Sequence, residues 1–130
     1  MPREWPPITV VWVAVLLVGP PLGLWTFLGP NDKPNRAGVG AMAAVGMLTA
    51  TGLLLGRRGG YLVGWLVTAG HVWFMLSHVW EHRNLWPGPA RLVLILPAGV
   101  TLAYVTNLAA LLWWPETRRW CGLLPRDDDD

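Results

Sequence analysis

One cysteine, Cys121, stands in 130 residues, so no disulfide can close within the chain and no dithiol redox pair can form. Acids are scarce too. Aspartate and glutamate number eight, and none falls deep in an apolar stretch, the nearest being Glu81 at a segment end. The membrane-embedded carboxylate usual in small ion-coupled transporters is therefore missing. No phosphate-cradling glycine loop and no nucleophile set beside a base is present, so the chain reads as a non-enzyme. Charged residues make up only 14% and lie in short clusters, unlike the mixed surface of a soluble domain.

What fills the chain instead is hydrophobic residue, at 53%, in four runs: Ile8 to Leu28, Ala37 to Gly56, Tyr61 to Trp80 and Arg91 to Trp114. Each is near the roughly 20 residues that cross a bilayer core as a helix. The connecting loops are too short for a second domain. The expectation is one all-α domain over 1–130, an integral membrane four-helix bundle with antiparallel, up-down neighbours, followed by an acidic C-terminal tail over 115–130. The first run is long, Glu4 offsets Arg3, and no small-x-small cleavage site follows, so it reads as a retained helix and not a signal peptide. Arg126 and the four aspartates after it read as a solvated charge run.

The net charge of +2 does not imply nucleic acid, because arginines in such a chain report topology. Six Lys and Arg residues fall on the side shared by the two termini and four on the other. That bias places both termini in the cytoplasm of a plasma (inner) membrane, with the tight Arg57-Arg58-Gly59-Gly60 turn on the same side.

Proline and glycine mark the interior of the runs. Gly19-Pro20-Pro21 removes two backbone donors from the first helix, so a kink or unwound stretch is expected there, and its freed carbonyls need partners. Pro97 repeats the argument in the fourth helix. Gly46 with Ala50, Gly52 with Gly56, and Gly60 with Gly64 are small-xxx-small pairs, which let helix backbones approach closely. Of the ten tryptophans, Trp5, Trp25, Trp86, Trp113, Trp114 and Trp120 lie at segment ends as an interfacial belt. Trp65, Trp73 and Trp80 point away from the polar stripe described next and suit lipid or a partner protein.

That stripe is the chain's only concentration of chemistry. His71, Met75, His78 and His82 are spaced four, three and four apart, which aligns them on one face of the third helix. They are ligand types for haem iron, copper or zinc, and a haem, metal or pigment site is one reading. One straight helix, however, presents ligands along a line, and no second element supplies more than Met42, Met47 or Asn107. His78, Glu81 and His82 match the H-x-x-E-H spacing of inverted zinc proteases, but a third ligand and a substrate-binding domain are lacking. The simpler reading has neutral histidines hydrogen-bonded between helices to Thr68, Ser77, Thr101, Thr106, Asn107 or backbone carbonyls, so that leucine at His71 and His78 would be tolerated.

In size and helix number alone the chain resembles DoxX-like and small multidrug transporter-like proteins, and it lacks the first-helix glutamate of the latter. No residue role carries over. The expectation is a non-catalytic accessory or assembly subunit of a larger membrane complex, of the respiratory or photosynthetic electron-transfer kind, in contact with lipid and other membrane subunits. The alternatives are a cofactor-binding electron-transfer subunit using the stripe, and a small transporter or channel.

Overall fold

The computed structural model describes residues 5–28 and 33–125, so Arg3 and the charge run from Arg126 to Asp130 lie outside the described residues. Four long helices, α1 (Ile8–Phe27), α2 (Lys33–Leu54), α3 (Arg58–Glu81) and α4 (Arg91–Trp113), are each long and apolar enough to span a membrane. The chain is a multi-pass membrane protein with an all-α, four-helix bundle fold. The helices pack in a ring in chain order, α4 closing back on α1, and among the described residues the backbones of the diagonal pairs stay apart.

Two details depart from the sequence expectation. Pro115–Trp120, assigned to the tail, forms a short helix, α5, with proline at its first turn where no intrahelical donor is needed. The turn between α2 and α3 is also earlier and tighter than predicted, because Arg58, Gly59 and Gly60 are already helical. Gly56 makes that turn. At φ +70° it donates to Leu53 O (2.9 Å) while Arg57 N donates to Gly52 O (2.9 Å), the paired bonds that end a helix on a left-handed residue. Gly56 is thus a cap, not the helix-packing residue its GxxxG spacing suggests.

The core sits at one end. Val10, Val13 and Leu17 of α1, Leu53 of α2, and Leu108 and Leu112 of α4 are essentially inaccessible, and α5 closes this end with Thr117 and Cys121 buried beneath it. We call it the terminal end, since α1 begins and α4 finishes there. Trp120, read as an interfacial residue, instead turns inward and its indole donates to Leu53 O at 2.9 Å. Arg58 Nη2 ties the same segment down through Gly122 O at 2.7 Å.

Toward the opposite, far end the burial fades. No residue of α1 beyond Pro21, of α2 between Arg36 and Met42, or of α3 beyond Thr68 is buried, and α4 contributes only Leu94 before Val105. The pairing there is within hairpins. Arg36 reaches Leu28 O and stacks over Trp25 on the α1–α2 side, while His78 reaches Val93 on the α3–α4 side.

Candidate functional site

The prolines explain the polar residues of the spans. An α-helical carbonyl is bonded by the N–H four residues on, which proline lacks, so Pro20, Pro21 and Pro97 orphan the carbonyls of Leu16, Leu17 and Val93, while Leu111 O, at the end of α4, accepts from Trp114 N. Each orphan finds a substitute. Tyr104 Oη, from α4, donates to Leu16 O at 2.6 Å. A Cβ built on Gly46 would collide with Leu17 O, so the glycine's Cα hydrogen points at that oxygen, a weak but favourable contact. His78 Nε2 donates to Val93 O at 3.0 Å, and Thr117 Oγ1 donates to Leu111 O at 2.8 Å. With its carbonyls answered, α1 is helical through Pro20 and Pro21, so of the kink or unwound stretch expected there the unwound stretch does not form.

His78 therefore holds the α3–α4 hairpin together, since its acceptor lies in α4. The other two histidines turn back on their own helix: His71 Nδ1 donates to Val67 O (2.8 Å) and His82 Nδ1 to His78 O (3.0 Å). A carbonyl can only accept, so these bonds fix each neutral ring's tautomer. The lone pairs left for a ligand are His71 Nε2, His78 Nδ1 and His82 Nε2. Of the partners expected, backbone carbonyls serve, and the threonine, serine and asparagine side chains do not.

The stripe divides in two. His78 and His82 stack with ring centroids 4.4 Å apart and planes 33° apart. An ion bound about 2 Å from a nitrogen lies in that ring's plane, and planes so nearly parallel do not meet that close to both rings. His71 stands about 10 Å away along the axis at 1.5 Å per residue, its ring tilted 51° against Tyr104 at 5.1 Å. Met75, half-buried, lies between them. Among the described residues no three His, Cys, Asp or Glu side chains group as metal ligands.

No family model, curated protein or solved structure matches this chain. Its own geometry carries the argument.

The packing glycines are where the sequence placed them, Gly56 excepted. Gly52 and Gly60 meet backbone to backbone, a Cβ on Gly60 falling 2.6 Å from the Gly52 carbonyl carbon. Gly64 lies beneath Leu112, and Ala50 is buried in the core. All of these contacts are internal. Trp73 (73% exposed) and Trp80 (67%) face outward, as their placement opposite the stripe implies, and the Arg83 guanidinium covers the Trp80 ring at 4.1 Å. Trp65 differs, being half-buried and edge-on to Tyr61 at 6.3 Å.

What sequence reasoning missed is Tyr104. The signal was present in the spacing rule: a doubled proline in one span calls for a hydroxyl donor in another, and α4 offers a tyrosine at mid-depth.

Proposed function

We propose that this chain is a non-catalytic integral membrane subunit that assembles with other membrane proteins, seated in a plasma (inner) membrane with both termini cytoplasmic. The observation that carries this reading is the use made of the polar groups. His78 and Tyr104 are committed to carbonyls that the chain's own prolines orphan, and Thr117 to a carbonyl at the end of α4. No acid lies within the apolar interior of a span to relay protons.

The uneven core supports the same reading. Only 11% of the α3 span is buried inside the bundle, and its outward face carries Leu66, Trp73, Phe74 and Trp80. Apolar and aromatic surface of this kind packs against lipid or against other helices, and a bundle closed at one end and loosely packed at the other leaves room for the second. A respiratory or photosynthetic electron-transfer assembly is the host class we favour, by analogy alone.

The test is purification from native membranes in mild detergent, with co-eluting proteins identified by mass spectrometry and the pool scanned for visible absorbance and metal. Stoichiometric co-elution with larger membrane subunits is the expected result. A monodisperse chain eluting alone would overturn the proposal, and haem or pigment absorbance retained by the isolated chain would favour the cofactor-binding alternative.

A further inference from the structure

Between α2 and α3, on the loosely packed side, runs a groove of about 390 Å³ lined by Ala41, Met42 and Val45 on one wall and Gly70, His71 and Phe74 on the other. Its polar groups are two rings, the imidazole of His71 and the indole of Trp73, which lines the same wall. His71 Nδ1 donates to Val67 O, so the neutral ring presents Nε2 as a bare acceptor, and that nitrogen has no partner among the described residues. Tyr104 packs against the ring, and its own hydroxyl is engaged with Leu16 O. His71 is the fourteenth residue of the 24-residue α3, near mid-span. There lipid tails offer no donor, and water is scarce.

We propose that this groove binds a membrane-dissolved apolar molecule bearing one hydroxyl donor, of the phenol or long-chain alcohol class, whose O–H is accepted by His71 Nε2. The complementarity turns on His71: an ester, ether or ketone brings only acceptors and leaves Nε2 unpaired, whereas a hydroxyl pairs with the nitrogen while its hydrocarbon lies along Met42, Val45 and Phe74. A second groove of about 570 Å³, between α1 and α2, is the internal contrast. Its one side-chain polar group, the Thr51 hydroxyl, spends its hydrogen on Met47 O at 2.8 Å and keeps only an alcohol oxygen as acceptor, weaker than the imidazole nitrogen of His71. The site stands apart from the subunit reading above, because a bound amphiphile needs no partner chain.

The glycine in the wall supplies a clean control. A Cβ on Gly70 meets nothing within 4 Å, so a larger side chain there enters the groove without striking the fold. The experiment places the full chain, labelled at its histidine nitrogens, in lipid nanodiscs at mildly alkaline pH and titrates para-nonylphenol against its O-methyl ether. The phenol should shift the His71 Nε2 resonance saturably, and the ether should bind about ten-fold more weakly, the effect of one hydrogen bond. Gly70→Leu, or Ala41→Leu from the opposite wall, should abolish saturable binding while the His78 and His82 resonances stay in place. His71→Leu should lower phenol affinity to that of the ether. Equal binding of phenol and ether, no saturation with the folded wild-type chain, or unchanged binding in folded Gly70→Leu and Ala41→Leu would each overturn the proposal.

Discussion

Replacing Tyr104 by Phe removes one oxygen and orphans one carbonyl, Leu16 O, inside an apolar bundle. An unsatisfied buried acceptor costs about 1–3 kcal/mol, which should appear as a lower unfolding midpoint in a denaturing-detergent titration. Pro20→Ala returns the missing N–H to Leu16 O, so the Tyr104→Phe penalty should shrink in that background; an unchanged penalty would show that the orphaned carbonyl is not its source. His78→Leu obeys the same logic with Pro97→Ala as its suppressor. The geometry thus revises the sequence expectation that leucine is tolerated at both histidines: it should be destabilising at His78, which bonds another helix, and mild at His71, which bonds its own. Cys121 gives a pH-dependent companion. Burial pushes its thiol from 9.0 up to about 11, so the folded state favours the protonated form. Stability from this group is intact below the ordinary thiol value and is lost as pH rises through about 11. At neutral pH maleimide should label Cys121 slowly in the folded protein and fully after denaturation.

Helices α1 and α2 meet through Gly46, and the contact admits no side chain. Gly46→Leu should force the pair apart at a cost of about 1–3 kcal/mol, the range for overpacking, while Gly19→Ala, with open space around its Cβ position, should be near neutral. Gly56→Ala should cost at least about 1–2 kcal/mol, from the left-handed backbone of the α2 cap, and more because its Cβ would lie 2.9 Å from Trp120 O. Thermal unfolding of the three variants should rank Gly19→Ala well above the other two. These elements also show what was legible beforehand. Hydropathy located the four spans to within a few residues, since a bilayer demands apolar length and little else. The small residues of α2 announced close approach. They did not say which glycine packs and which caps, because that turns on where the helix stops, a matter of φ at Gly56. The histidine stripe was legible as a face, whereas its division into a hairpin clasp and a groove-facing acceptor depends on tautomers fixed by carbonyls of Val67, His78 and Val93. No periodicity encodes those. Nor did composition reveal α5, whose six residues dock through single bonds and one buried side chain, with Cys121 buried just beyond it.

The molecule as a whole is held at one end. Truncation before Pro115 removes the Thr117 and Trp120 bonds to Leu111 O and Leu53 O and uncovers the core at Leu53, Leu108 and Leu112. It should lower the unfolding midpoint more than any single far-end substitution, and Trp120→Phe should reproduce part of that loss. The Tyr104 bond has a further consequence for biogenesis. A nascent α1 enters the membrane with two open carbonyls at mid-depth, and the tyrosine that satisfies one of them arrives only with the last span. Until then α1 is a poor solute in hydrocarbon. It must linger beside the insertion machinery, keep water with it, or be recognised by quality control as unfinished, so a chain ending after α3 is a natural target for degradation while the complete chain conceals the signal.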